Sequence, residues 1–303
     1  MPYPTRFELN NAVKYPEFIK DTFFNGYSII YKKKGNEVQE WPGGFSNTYC
    51  MVKDNEKWAL KAWVREIRDI RNRYKKISKY LAKCKLSYFT DFSYVENGLI
   101  VTDIQSNTSQ YVDTFRMKWI EGTNLKDYIS YNLRYPQVIE ALAEKFLIMI
   151  DDLHKNKISH GDLKNENIFI TDTGEIKLID YDSLCVPEID GEKDVCRGTM
   201  GFQHPSRVTA GIKASVKIDY FSELIIYISI LAAAENRLLW DKYHVDNAEF
   251  RLLFTPEDFI MWEDAPIRHD LNLLSQRIKD LVIVLEGYLA SHLYFSPFTL
   301  GPR

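Results

Sequence analysis

His160-Gly161-Asp162-Leu163-Lys164-Asn165-Glu166-Asn167 is the stretch that decides how this chain reads. A segment with helical periodicity, Pro136 to Lys155, runs up to it through Asp152-Leu153-His154. After it come Ile168-Phe169-Ile170, a turn at Asp172-Thr173-Gly174, and Ile176-Lys177-Leu178-Ile179-Asp180. Two short apolar runs about a turn predict a hairpin, and that hairpin would bring Asn167 and Asp180 together. An amide and a carboxylate are hard oxygen donors of the kind Mg²⁺ prefers. Asp162 is placed to accept the proton of an attacking hydroxyl. Lys164, two residues on, can lie on the same side and steady negative charge that develops there.

Turn residues punctuate the first half of the chain at Lys34-Gly35-Asn36, Pro42-Gly43-Gly44, Lys53-Asp54-Asn55 and Glu96-Asn97-Gly98. Ser28 to Tyr31, Thr48 to Val52, Trp58 to Ala62 and Gly98 to Asp103 read as strands between them, with a hairpin at Lys53-Asp54-Asn55-Glu56. Trp63, Ile67, Ile70, Tyr74, Ile77 and Leu81 recur at helical spacing and predict one long helix within this region. Beyond Gly122 the pattern is mostly helical: Pro136 to Lys155, Asp219 to Ala234, and Leu271 to His292.

In its order of elements and in its motif the chain resembles the protein kinases, whose catalytic loop commonly reads H-R-D-L-K-x-E-N. His160, Asp162, Leu163, Lys164, Glu166 and Asn167 match it. Ala59-Leu60-Lys61-Ala62 is similar to the strand bearing the ATP lysine, so the resemblance implies that Lys61 pairs with the α- and β-phosphates. It places Gly43 and Gly44 in the loop over the phosphates. It also makes Met117, Lys118 and Ile120, in Met117-Lys118-Trp119-Ile120-Glu121-Gly122, the hinge that holds adenine through backbone groups. Gly198-Thr199 and Gln203-His204-Pro205 resemble the end of an activation segment. Asp219 resembles the aspartate that ties the catalytic loop to the core. More narrowly, the chain resembles a group of bacterial kinase-like proteins with an N-terminal extension, an Asp-Tyr-Asp metal motif and a Gln-His-Pro segment.

The resemblance implies a two-lobed α+β fold: an extension over residues 1–25, a small, mainly β N-lobe over 26–118, and a helical C-lobe over 119–303. ATP with Mg²⁺ would bind between the lobes. Asp162 and Lys164 would be catalytic, Asn167 and Asp180 the metal ligands, and a Ser/Thr protein the phosphoryl acceptor. Thr199 falls where Ser/Thr kinases place a residue that contacts the catalytic loop.

Several positions depart from that pattern. Trp41 and Ser46 stand where the first and third loop glycines belong. Asp180-Tyr181-Asp182 replaces D-F-G, and Asp182 reads either as a further ligand or as a turn residue. Glu66 and Asp69 are the only acids on the expected helix that could pair with Lys61. Gly161 replaces the loop arginine that commonly meets an activation-loop phosphate, and Leu184 to Arg197 contains no Ser, Thr or Tyr. These two features together predict activity without activation-loop phosphorylation. Two other readings stay open: a pseudokinase scaffold, and a small-molecule kinase of the aminoglycoside or choline type, which Gly161 and Asp182 would suit.

Composition narrows the function classes. The 303 residues carry 39 basic and 42 acidic side chains, a net charge of −3, which argues against nucleic acid as the main partner. The four cysteines form no CxxC pair, so neither a zinc site nor a disulfide framework is expected. The N-terminus has no apolar leader, and the longest apolar run, Leu224 to Ala234, is about half of the ~20 residues a span needs. A cytoplasmic protein, off the membrane, is the expectation. Lys61 to Lys85 holds ten basic residues against two acidic ones, a local +8. That run reads first as a solvated helix face and second as a dock for an acidic partner.

Overall fold

The computed structural model describes residues 3–33, 35–208, 213–248 and 251–291. Lys34 of the expected turn and His292 of the expected last helix lie outside them. The chain divides into two units: Met1–Ser78 with Thr90–Ile120, and Lys79–Phe89 with Glu121–Arg303.

The first unit is an antiparallel sheet with a short helix packed into its core. Strands β1 (Ser28–Ile29), β2 (Glu40–Pro42), β3 (Ser46–Lys53), β4 (Glu56–Trp63), β5 (Phe92–Asp103) and β6 (Thr108–Lys118) run in the order β1-β3-β4-β6-β5, with β2 also paired to β3. The β3–β4 hairpin closes at Lys53↔Glu56, and Asp54 at φ 51° supplies the left-handed residue its two-residue turn needs. Ahead of the sheet, α1 (Arg6–Ala12) starts on a capping box: the Glu8 amide donates to the Thr5 hydroxyl and the Thr5 amide donates back to the Glu8 carboxylate. Leu9, Ala12 and Val13 are buried with Tyr49, Met51, Leu60 and Leu99 in one apolar core.

The expected long helix starts later than its periodicity predicts. Trp63 ends β4, Ile67 lies in the following loop, and α2 runs from Ile70 to Cys84. All six residues of the apolar stripe are buried. Pairing of β4 with β3 through Trp63 holds that end extended, and Asp69 at φ 55° turns the chain before the helix begins. The division between the units falls within α2, from Lys79 on. Of its basic residues, Arg71 pairs with Glu96 at 2.5 Å, both side chains half exposed, whereas Arg73 is buried. A partly exposed pair of this kind contributes little to stability.

The second unit is mainly helical. It contains β7 (Thr123–Asn124), α3 (Leu125–Asn132), α4 (Pro136–Lys155), β8 (Ile168–Ile170), β9 (Ile176–Leu178), α5 (Tyr220–Glu235), α6 (Leu238–Lys242), α7 (Pro256–Ile260), α8 (Pro266–Leu271) and α9 (Gln276–Leu289). The helix expected from Leu271 starts later: Leu271 closes α8, Asn272–Ser275 intervene, and α9 begins at Gln276. Buried Ile139, Leu142, Ala143, Phe146, Met149, Ile150 and Leu153 form one stripe along α4 that faces α5. Helix α5 is buried on every side, with only Tyr220 and Leu231 above 5% exposure among its apolar positions from Tyr220 to Ala233. Its continuous apolar run is therefore a core helix. Among the described residues no helix is long and apolar enough to cross a membrane. The segment after α2 is tied to this unit: Tyr88 Oη donates to Asp152 at 2.7 Å, and the Leu178 amide donates to the Tyr88 carbonyl at 2.8 Å.

Candidate active site

In the second unit, β8 and β9 pair Ile168 with Leu178, and the Ile179 amide donates to the Asn167 carbonyl at 3.0 Å. The hairpin read from the sequence therefore exists, and it sets Asn167 beside the residue that precedes Asp180. Asn167 Nδ2 donates to the Asp162 carbonyl at 2.8 Å, and its amide donates to the Lys164 carbonyl at 3.1 Å. These two bonds curl the loop. They also turn the side-chain nitrogen of Asn167 inward, which leaves its side-chain oxygen to serve as a ligand atom.

Three ionisable groups gather at this loop. Lys164 Nζ lies 3.1 Å from Glu166 Oε2 and 3.7 Å from Asp162 Oδ2. Burial lowers the affinity of Lys164 for its proton, but Asp162, Glu166 and Asp180 outweigh burial and hold the ammonium above its usual range. Lys164 is a fixed positive charge. Asp162 Oδ1 is buried and has no hydrogen-bond partner. A buried carboxylate oxygen without a donor is costly, so this one marks a position built to receive a hydroxyl or a cation. Asp180 adopts φ 65°, ψ 75°, a left-handed conformation that non-glycine residues enter at a cost and that recurs at functional sites. Asp182 follows in a 3₁₀ turn, Tyr181–Ser183. Asn167 and Asp180 supply two hard oxygen donors, and among the described residues no group of three or more His, Cys, Asp or Glu is placed to hold a metal. That donor set suits Mg²⁺, which is commonly held by one or two protein oxygens together with substrate phosphates.

The loop is held from beneath by buried residues. His160 is fully buried, and its Nε2 lies 2.8 Å from the Ile179 carbonyl. Asp219, at the start of α5, accepts from the amides of His160 and Gly161, the latter at 3.0 Å. Burial pushes its pKa up, against the pull of His160, Arg207 and these two amides. Gly161 has φ +79°, and a Cβ there would sit 2.3 Å from the Ser183 carbonyl oxygen. No side chain fits at that position, which accounts for the missing arginine.

One turn of α5 secures two further elements. Ser222 Oγ donates to the Phe202 carbonyl at 2.6 Å and receives Gln203 Nε2 at 3.0 Å. Glu223 lies 2.8 Å from His154 Nε2. Burial pushes the Glu223 carboxyl up to about 7. Burial disfavours protonated His154, but Glu223 more than compensates and raises the imidazole above its usual range. Farther along, Arg207 is 1% exposed and bridges the activation segment: it donates to Asp194 Oδ2 at 3.0 Å, to the Cys196 carbonyl at 3.2 Å and to Gln203 Oε1. Neither Arg207 nor Asp194 stands out in the sequence, because an arginine near a proline reads as surface.

In the first unit, Lys61 lies on β4 and is 6% exposed, its Nζ 6.0 Å from the Trp63 ring centre. The two acids expected to serve it are not on the helix: Glu66 and Asp69 both precede α2 and are exposed. Ile70–Cys84 contains no Asp or Glu, so no carboxylate of α2 can pair with Lys61. Gly43 and Gly44 form the β2–β3 turn, closed by the Gly43 amide on the Ser46 carbonyl at 2.8 Å. Trp41, in the place of the first loop glycine, packs edge-on against Trp119 with ring centres 4.8 Å apart. At the expected hinge, Met117 and Lys118 end β6. The Lys118 amide donates to the Asp91 carbonyl and the Trp119 amide to the Lys57 carbonyl, at 2.9 and 3.0 Å. Ile120 follows as the last residue of this unit.

Comparison with known proteins agrees with this geometry. A model of the protein kinase domain matches residues 42–285, and the chain belongs to that family. It is 29% identical over 117 residues to the serine/threonine-protein kinase STE20 of Yarrowia lipolytica, covering 38% of this chain and 10% of that protein. It is 28% identical over 133 residues to the protein kinase kin1 of Schizosaccharomyces pombe, covering 42% and 14%. It is 28% identical over 117 residues to the serine/threonine-protein kinase pakA of Talaromyces marneffei, covering 38% and 18%. The matched region is thus less than a fifth of each relative's length.

Proposed function

We propose that this protein transfers the γ-phosphoryl group of ATP to serine or threonine hydroxyls of proteins. The observation that carries the reading is the buried, partnerless Asp162 Oδ1 beside the Lys164 ammonium. Asp162 accepts the hydroxyl proton as the oxygen attacks the γ-phosphorus and the bond to the β,γ-bridging oxygen breaks, with ADP as the leaving group. Lys164 stays charged and offsets the negative charge on the transferring group. Asn167 and Asp180 would hold Mg²⁺, which would supply charge neutralisation to the phosphates. Lys61 pairs with the α- and β-phosphates, Gly43 and Gly44 cover them, and backbone groups of the Met117–Ile120 segment hold adenine. Asp219 acts only through the loop it fastens.

The protein-acceptor reading is supported by Lys164 and Asp219, and by the serine/threonine-protein kinases among the relatives. Incubation with γ-labelled ATP, Mg²⁺ and a mixed protein substrate, followed by phosphoamino acid identification, tests it. Label on Ser and Thr is the expected result. Label only on small hydroxyl compounds would assign a small-molecule kinase instead.

A further inference from the structure

Helix α1 lies ahead of the kinase-family match yet reaches the turn that the kinase reading places over the phosphates. Arg6 Nη2 donates to the Gly43 carbonyl at 2.5 Å. One turn later, Asn10 Oδ1 accepts from Tyr49 Oη at 2.6 Å and from Asn47 Nδ2 at 3.0 Å. Asn47 is fully buried, and its Nδ2 also donates to Glu40 Oε2 on β2 at 2.5 Å. The helix is therefore tied to the tip of the turn and to β3, whose Asn47 in turn holds Glu40 of β2.

Two features make these ties consequential. The helix itself is immobilised, since Leu9, Ala12 and Val13 are at most 3% exposed in the sheet's core. Arg6 is thus delivered from a fixed base. The turn, by contrast, has little packing of its own: a Cβ on Gly44 would meet nothing within 4 Å, and one on Gly43 would touch only Ser46. The turn is closed by its own Gly43–Ser46 bond and held by the Val64 amide on the Phe45 carbonyl, and Arg6 adds a side-chain tie at its exposed tip.

We propose that α1 is a clamp on the β2–β3 turn, and that Arg6 is a positioning residue which holds this turn in its nucleotide-binding position. The second half rests on the kinase reading above. Ordering the turn before the ligand arrives removes an entropic cost from binding.

The test uses the full chain with Arg6→Ala and Arg6→Lys. Arg6 is exposed, so neither variant removes core packing. Amide hydrogen exchange is read over residues 40–47 without nucleotide, and MgATP affinity is read by calorimetry. Arg6→Ala should speed exchange at Gly43–Ser46 and weaken MgATP by about 3–10-fold each, the range one net hydrogen bond spans. Arg6→Lys should fall between parent and alanine. Exchange at the turn equal to the parent's would overturn the clamp. Faster exchange with unchanged MgATP affinity would overturn the positioning role. A parent chain that binds no MgATP would defeat the kinase reading and the positioning role with it, while exchange would still decide the clamp.

Discussion

Gly161 illustrates how much a single position can carry. Its φ of +79°, and the 2.3 Å that would separate a Cβ there from the Ser183 oxygen, exclude every side chain. Gly161→Ala should destabilise the protein by about 1–3 kcal/mol, read from urea unfolding midpoints. Asp162 calls for the opposite behaviour. Asp162→Asn keeps the shape and removes the base, so phosphotransfer should fall by at least about 100-fold with the unfolding midpoint little changed. The loop motif was legible because it resembles that of the protein kinases, the family to which the chain belongs. The reason for Gly161 was not, since it depends on the close approach of the Ser183 carbonyl, which no spacing rule announces. Arg6 was equally hidden: its partner is a backbone oxygen 37 residues away, and a carbonyl leaves no signature in a sequence.

At the scale of elements, the first turn of α5 and the activation segment act together. Asp219, Ser222 and Glu223 fasten the catalytic loop, the Phe202–Gln203 stretch and α4 respectively. The buried Arg207–Asp194 pair then holds the segment itself. Removing one member of such a pair leaves a buried charge, so Asp194→Ala should cost about 3–5 kcal/mol in urea unfolding. This tie fastens the segment through a carboxylate and needs no phosphate, which is compatible with the expectation of activity without phosphorylation. Phosphate near the segment can fall only on Ser183 or Thr199, and Ala variants of both should retain the parent's activity.

The His154–Glu223 pair predicts a pH dependence. Both groups bind protons more tightly in the folded chain, Glu223 at about 7 against a usual 4.5 and His154 above 6.5. The folded state therefore holds more protons than the unfolded one, and their contribution to stability is full at low pH. It is lost as pH rises from about 4.5 through 7. Melting temperatures between pH 5 and 8 should fall less steeply for Glu223→Gln than for the parent. Helix α4 was readable end to end from its stripe. The start of α2 was not, because Trp63 and Ile67 keep helical spacing while β-pairing holds Trp63 extended. Periodicity records which residues are buried, and here strand, loop and helix bury one continuous row.

Over the whole molecule, the kinase family covers residues 42–285, and the clamp proposed for α1 lies outside that span. The sheet of the first unit and the helices of the second follow from local patterns and hairpin turns, so a β part followed by a helical part could be anticipated, whereas the kinase-like fold was implied by the resemblance of the loop motif. What the pattern could not supply is the set of buried polar ties, Arg207–Asp194 and Asn10–Tyr49–Asn47 among them, that link positions distant in sequence. The +8 run across α2 is partly engaged, Arg71 by Glu96 and Arg73 by burial, and a net charge of −3 conceals it. The central claim is that this fold transfers phosphate through Asp162 with a cation held by Asn167 and Asp180. Mg²⁺-dependent transfer from γ-labelled ATP, run on the parent beside Asp162→Ala and Asp180→Ala, tests it most directly. The account predicts label transfer by the parent, lost on removal of Mg²⁺ and in both variants. Transfer that survives in Asp162→Ala, or a parent that neither transfers label nor gains thermal stability with MgATP, would contradict it.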